Sequence, residues 1–274
     1  MIPFDFDYYR PDSVGQAVEL YARLRAEGRN PIYFSGGTEI ITFGRLGQLV
    51  TDAVLDIKSI PELGALGRSG DHLVFGAGLT LNAVAESGLF PLLGDVARHT
   101  ADHTTRNKIT LGGNLCASIP YRETVLPFLL TDSYAVVAGR QGNAWVSMHE
   151  LRLAPGELLV QIWTEQSAAR WPSVTIKKTK QDEVDYPLVR LALVHDGRGV
   201  RAAFSGVCEA PFRSWDMEDA LNTPGVPLET RIAEALRRLP GQVIDDQLGS
   251  ADYRYYLLHH SLREGMSALE GGGR

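Results

Sequence analysis

Cysteine is nearly missing from this chain: two residues, Cys116 and Cys208, in 274. A disulfide framework or a structural zinc site needs more ligands at closer spacing, so the pair is expected as reduced thiols. A four-thiolate iron–sulfur cluster is likewise beyond what this chain can build alone. No window reaches the roughly 18 uninterrupted apolar residues of a membrane helix. The opening Met1-Ile2-Pro3-Phe4-Asp5-Phe6-Asp7 lacks the basic stretch and apolar run of a secretory leader, so no membrane association and a cytoplasmic location are expected. An excess of basic charge is also lacking. Lys and Arg number 27 against 33 Asp and Glu, a net charge of −6, which argues against a nucleic-acid partner.

Several catalytic signatures are absent too. No Gly-x-Ser-x-Gly elbow points to a hydrolase, and no Lys-Ser or Lys-Thr follows a glycine loop in the P-loop manner. Gly76-Ala77-Gly78 follows a strand-like run, but Leu81 stands where the dinucleotide fingerprint needs its third glycine. His99 and His103 have the i, i+4 spacing of two ligands on one helical face. Thr100 replaces the Glu of a zinc protease and no third ligand is evident, so no metal site is expected. His259-His260 diverge on a helix and read as surface residues. The basic run Lys177-Lys178-Thr179-Lys180 is offset by Asp182, Glu183 and Asp185.

What is present is a core-forming composition, 44% hydrophobic with 22% charged. Ser13 to Gly28 predicts a first helix: Ser13 and Gln16 suit a capping box, Ala17, Leu20, Tyr21 and Leu24 form an apolar stripe, and Gly28 ends it. Pro31–Phe34, Ala53–Ile57, Leu73–Ala77, Tyr134–Ala138, Leu158–Ile162 and Val174–Lys177 predict strands. Leu188–His195 and Val200–Ser205 flank Asp196-Gly197-Arg198-Gly199, a hairpin signal. From about Glu229 to Ala268 the pattern is mostly helical, and the Gly271–Arg274 tail is expected to fray. Many short strands with few helices between them indicate an α+β fold. The small, polar Gln166–Arg170 predicts a crossing between lobes, dividing the chain into 1–165 and 166–274.

Two glycine turns carry the functional signal: Ser35-Gly36-Gly37-Thr38-Glu39 directly after a strand, and Thr110-Leu111-Gly112-Gly113-Asn114. Glycine permits positive φ and close backbone approach, so successive amides can converge on an anion, with a nearby hydroxyl as a further donor. Two such turns, each with a threonine, suit a ligand with two phosphates.

With these motifs the chain resembles the FAD-binding medium subunit (or domain) of the molybdenum hydroxylases, the group containing xanthine dehydrogenase and aerobic carbon monoxide dehydrogenase. Four stretches carry the likeness: Phe6–Pro11 before the first helix, Ser35–Ile40, Arg106–Leu115 and Ala251–Leu257. The resemblance implies a two-lobed FAD-binding domain of the vanillyl-alcohol-oxidase-like type over 1–165 and a smaller sheet-plus-helices domain over 166–274. It also implies that Ser35, Gly36, Gly37, Thr38, Glu39 and Ile40, with Thr110, Gly112, Gly113 and Asn114, hold the FAD pyrophosphate. Glu123 is implied to accept cofactor hydroxyls, Leu158 or Leu159 to line the ring pocket, and Lys177, Asp185 and Tyr186 to lie near the isoalloxazine, Tyr186 by stacking. Asp is usual in this group where Glu39 and Glu123 stand, small residues where Ile119–Arg122 stand, and an Arg pair where Lys180-Gln181 stand.

The implied function is electron transfer. Molybdopterin would sit on a large partner and 2Fe-2S clusters on a small one, with NAD or another acceptor taking the electrons, in a dimer of heterotrimers. The alternatives at this stage are a flavin-free structural or assembly subunit and a self-contained flavin oxidoreductase. No catalytic side chain is expected, since the cofactor carries the redox chemistry.

Overall fold

The structure is a computed structural model and describes residues 2–271; of the tail expected to fray, Gly272–Arg274 lie outside them. In chain order the elements are β1 (Asp7–Tyr9), α1 (Val14–Ala26), β2 (Pro31–Phe34), α2 (Thr38–Arg45), β3 (Ala53–Asp56), β4 (Leu66–Ser69), β5 (His72–Gly76), α3 (Leu81–Glu86), α4 (Pro91–Arg98), α5 (His103–Arg106), α6 (Leu111–Leu115), α7 (Val125–Leu130), β6 (Tyr134–Gly139), β7 (Gly142–Ser147) and β8 (Leu158–Glu165). There follow β9 (Ser173–Thr179), β10 (Pro187–His195), β11 (Val200–Ser205), β12 (Phe212–Arg213), α8 (Trp215–Leu221), α9 (Leu228–Leu236) and α10 (Ala251–Gly271). Among the described residues no helix is long and apolar enough to cross a membrane.

The chain forms two compact units. The first runs to Ser87 and takes in His103–Ala117 and Ser133–Glu165. The second comprises Gly88–Asp102, Ser118–Asp132 and everything from Gln166. The chain therefore changes units several times, and the last change falls at Glu165/Gln166, beside the small, polar stretch singled out in the sequence. Within that stretch Ala168–Arg170 forms one 3-10 turn whose two alanines are buried.

In the first unit a three-stranded parallel sheet has the order β1-β3-β2, with Tyr8 and Ile32 both in register with Val54. Parallel strands need crossovers, and α1 supplies one. Ser13 caps it, its Oγ accepting from the Gln16 amide at 3.2 Å. The reciprocal half of the expected capping box is displaced: Gln16 Oε1 accepts from Asp12 N rather than from Ser13. α1 packs Leu20, Tyr21 and Leu24 on Ala53 and Leu55 of the sheet. A five-stranded antiparallel sheet of order β4-β5-β8-β6-β7 completes the unit. Its strands alternate, so Leu73, Phe75, Ala135 and Ile162 are fully buried while Tyr134 and Trp145 are exposed.

The second unit is built on the antiparallel sheet β12-β11-β10-β9. Every residue of β10 except His195 is buried, which fits a central strand covered on both faces. Leu191, Leu193 and Phe204 pack with Met217 of α8, Ile232 of α9 and Leu258, Leu262 and Met266 of α10. α10 lies close to the sheet because residue 265 is glycine: a Cβ there would come within 2.8 Å of Leu193 Cδ1. The region expected to be mostly helical from Glu229 to Ala268 is two helices, with no helix between Leu236 and Ala251.

Candidate functional site

The first glycine turn joins β2 to α2 at the carboxyl edge of the parallel sheet, the edge where open α/β sheets bind ligands. Gly37 is the N-cap of α2 at φ 74°, a left-handed conformation that glycine adopts without strain, and no side chain caps the helix. Among the described residues the amides of Gly36, Gly37, Thr38 and Glu39 have no protein acceptor. They are the orphan donors of a helix N-terminus, where the helix dipole favours an anion. Two side-chain atoms of the same turn, Ser35 Oγ and Glu39 Oε1, are buried and without a hydrogen-bond partner. Burial pushes the Glu39 carboxyl above its ordinary value. Buried polar atoms without partners are rare, and here two of them line one glycine turn.

The second glycine turn is equally ordered. Thr110 caps α6, its Oγ1 accepting from Gly113 N at 3.2 Å, and Asn114 N donates to Thr110 O at 2.9 Å. The turn rests on the segment after β5. Gly112 N donates to Ala77 O at 2.7 Å, Leu111 N to Leu79 O at 2.8 Å and Leu81 N to Ile109 O at 2.9 Å. A Cβ on Gly112 would stand 2.7 Å from Ala77 Cβ. Gly76-Ala77-Gly78, rejected in the sequence as a dinucleotide fingerprint, is therefore the shelf beneath the second turn. The nearest sequence signal for that role was the glycine pair itself: Gly76 and Gly78 both pack against the Leu63 backbone.

The two turns meet. The place of a Cβ on Gly36 is taken by the Lys108 carbonyl oxygen, and Thr110 N would be 3.2 Å from it. Ser35–Ile40 and Thr110–Asn114 thus form one backbone-lined cradle in the first unit, from segments some seventy residues apart. Leu159 lies in the same unit on β8, buried and opposite Val137 at a register shift of the ladder.

The remaining sequence-predicted residues belong to the second unit. Glu123, Lys177 and Arg190 form a buried ionic cluster: Lys177 Nζ lies 3.5 Å from Glu123 Oε1 and Arg190 Nε 3.6 Å from Glu123 Oε2. Lys177 Nζ also donates to His99 O at 2.6 Å, and Arg190 Nη2 to Thr175 Oγ1 at 3.3 Å. Burial pushes the Glu123 carboxyl up against the pull of Arg190 and Lys177, and it pushes both cations down. Glu123 and Lys177 thus already have ion-pair partners within their own unit, although Glu123 Oε2 and Arg190 Nε are buried without a hydrogen-bond partner. Arg190 was not singled out in the sequence, where a lone arginine in an apolar strand carries no distinguishing pattern.

Asp185 closes a turn with Asp182, whose amide donates to Asp185 Oδ2 at 3.2 Å. Tyr186 stacks on Tyr121 with ring centroids 4.7 Å apart and planes at 22°. Tyr121 OH in turn donates to Asp246 Oδ2 at 3.3 Å. The helical face expected for His99 and His103 does not form: α4 ends at Arg98, His99 is its C-cap, and Ala101 at φ 53° breaks the chain before α5. Among the described residues no group of three or more His, Cys, Asp or Glu could hold a metal ion.

A family model described as the FAD binding domain in molybdopterin dehydrogenase matches residues 4–162. Over their full lengths the chain is similar to the carbon monoxide dehydrogenase medium chain of Hydrogenophaga pseudoflava (24% identical, 98% of each chain) and to the nicotine 6-hydroxylase medium subunit of Paenarthrobacter nicotinovorans (27%, 97% of each). Among solved structures, carbon monoxide dehydrogenase from H. pseudoflava superposes with a TM-score of 0.88 at 24% identity, covering 99% of both chains. A chain of quinoline 2-oxidoreductase from Pseudomonas putida 86 superposes at 0.86 and 21%, with the same coverage, so the α+β fold is theirs. The cradle fits FAD, for its first turn offers amides and buried polar atoms without partners at a helix N-terminus that no side chain caps. The chain belongs to the family of FAD-binding domains of molybdopterin dehydrogenases.

Proposed function

We propose that this chain is the FAD-carrying electron-transfer subunit of a molybdenum hydroxylase complex. The observation that carries this reading is the meeting of two glycine turns around buried polar atoms that have no protein partner, Ser35 Oγ and Glu39 Oε1. In it, the open amides of Gly36 to Glu39 at the N-terminus of α2 hold the pyrophosphate, and the Thr110–Asn114 turn, whose Leu111, Gly112, Gly113 and Asn114 amides already donate within the chain, closes against it. Neutral converging donors solvate an anion without being reorganised when it arrives. Bound FAD supplies the redox chemistry at its isoalloxazine ring.

The chain's own part is binding, orientation and electrostatics. Residues 1–165 serve as the FAD-binding domain and 166–274 as a C-terminal domain, and Glu123, Leu159, Lys177, Asp185 and Tyr186 are assigned to the rest of the cofactor. In the chain as it stands Lys177 and Glu123 pair with each other, Lys177 also with His99 O and Glu123 also with Arg190. The relatives named as medium chain and medium subunit support companion chains: a large molybdopterin-binding subunit where substrate is hydroxylated, and a small one with 2Fe-2S clusters. Electrons pass from those clusters to FAD and on to NAD or another acceptor.

The test is an absorption spectrum of the purified full chain with identification of what it releases on denaturation. Flavin bands and released FAD are expected. Colourless protein that takes up no added FAD supports a flavin-free assembly subunit instead. Co-purification with a molybdopterin chain and a cluster chain separates both from a self-contained flavin oxidoreductase.

A further inference from the structure

A lysine that neither the motifs nor the spacing singled out shares the Phe34 ring with the first glycine turn. At the carboxyl edge of the parallel sheet, Phe34 ends β2 and Asp56 ends β3, and the two are in register. Ile57 N donates to Phe34 O at 3.1 Å, which brings Lys58 to the edge where the first glycine turn begins. Lys58 is anchored twice. Its Nζ lies 2.7 Å from Asp56 Oδ2, and its amide donates to Asp56 Oδ1 at 3.0 Å. The ammonium also lies 4.6 Å from the centroid of the Phe34 ring.

That ring is the floor of the turn. A Cβ on Gly37 would overlap it, so the Gly37 backbone and the Lys58 ammonium are both seated on one aromatic side chain. Cation–π contact orients a lysine that would otherwise sample many rotamers. Asp56 is buried and takes a further hydrogen bond from Tyr8 OH, so its charge is shared among donors. Half of the Lys58 side chain remains exposed, and an ammonium has three protons to donate.

We propose that Lys58 is the cationic member of the diphosphate cradle, held at the Gly36-Gly37 turn by Asp56 and the face of Phe34. This rests on the reading that the cradle binds FAD, and it adds to that reading a charged hydrogen-bond donor, which neutral amides are not, although its charge is balanced by Asp56. A partly solvated charge near one anionic group contributes about fivefold in affinity at low salt, and the contribution is screened as salt rises.

The experiment titrates the full chain with FAD, and with ADP, a diphosphate of the same nucleoside without the flavin, at low and high salt. Wild type is compared with Lys58→Met and Lys58→Arg, Lys58→Gln standing in should the methionine variant not fold, and unfolding midpoints of the ligand-free proteins are measured alongside. Lys58→Met is expected to bind both ligands about fivefold more weakly at low salt, with the gap closing at high salt. Lys58→Arg, which keeps the charge and stacks on aromatic rings, should retain most of the affinity. Unchanged affinity in Lys58→Met, a loss of equal size at both salts, or a loss for FAD but not for ADP overturns the assignment of Lys58 and leaves the FAD reading standing. A wild-type chain that takes up no FAD overturns the FAD reading, and Lys58 with it.

Discussion

Gly36 is held against the Lys108 backbone so closely that the Lys108 carbonyl oxygen occupies the place of its Cβ. The obstacle is main chain and cannot rotate aside. Gly36→Ala is therefore expected to push the two glycine turns apart, with an overpacking cost of about 1–3 kcal/mol. Denaturant unfolding of the ligand-free chain reads the cost, and the FAD content of purified protein reads the separation of the turns. An alanine variant with wild-type values of both would mean that the turns are not locked together.

Gly113 gives the complementary test. Among the described residues, and leaving aside the helix's own backbone, only Thr110 Oγ1, at 2.9 Å, lies within 4 Å of a Cβ placed there. Gly113→Val should cost at most the loss of the Thr110 cap, about 0.5–2 kcal/mol. Its added methyl groups would nonetheless crowd a phosphate held at the turn. The expectation is a sharp fall in FAD retention with a nearly unchanged far-ultraviolet spectrum and a fall in unfolding midpoint no larger than that cap loss explains. Flavin occupancy equal to wild type would remove Gly113 from the pyrophosphate site.

Glu123 stands between Lys177 and Arg190 in the interior of the second unit. Taking away one partner of a buried ion pair leaves uncompensated charge, at a cost of about 3–5 kcal/mol. Glu123→Gln should therefore lower stability by that order in chemical unfolding of the ligand-free chain. A loss of FAD affinity without loss of stability would instead mark Glu123 as a ligand contact and not a structural charge.

Asp246 ties acid stability to α10. Burial works against its ionisation, but hydrogen bonds from Arg254 (Nη2 at 2.7 Å) and from the Gly249 and Leu248 amides outweigh it and hold its pKa below the ordinary value. The folded chain thus binds fewer protons at Asp246 than the unfolded chain, so its contribution is complete above the unfolded pKa of about 4. It is lost as pH falls from there through the folded value. Asp246→Asn should be less stable than wild type in urea near neutral pH, and the difference should shrink below about pH 4. A difference that stays constant across that range would assign the effect to packing.

Some of the fold was legible because its causes are local. Ser13 and Gly28 bracket α1, with Ser13 as N-cap and Gly28 at φ 81° just beyond the helix. Asp196-Gly197-Arg198-Gly199 turns β10 back on β11 as an antiparallel pair, with Gly197 at φ 90° and Asp196 Oδ1 accepting from the Arg198 and Gly199 amides. Capping, positive φ and two-residue alternation act within a few positions, so a reader of the sequence sees both cause and consequence.

One misreading came where spacing was taken for shared structure. His99 and His103 have ligand spacing, but α4 ends at Arg98 and the second histidine starts another helix. Residues 88–102 and 118–132 belong to the second compact unit although they precede the crossing expected near 166. Nothing in their composition marks that, because membership is decided by which sheet buries their apolar faces.

The residue string by itself determined where glycine could free the backbone, that α1 would begin at Ser13, and that β10 and β11 would pair across a glycine turn. Tertiary structure alone decided that Gly36 would touch Lys108, that Ala77 would support Gly112, that Lys58 would share the Phe34 ring with Gly37, and that Glu123 would be enclosed by Lys177 and Arg190. Those pairings join residues far apart in the chain. They exist because packing apolar faces brings the segments together, an energy that belongs to the folded whole and to no short stretch of it.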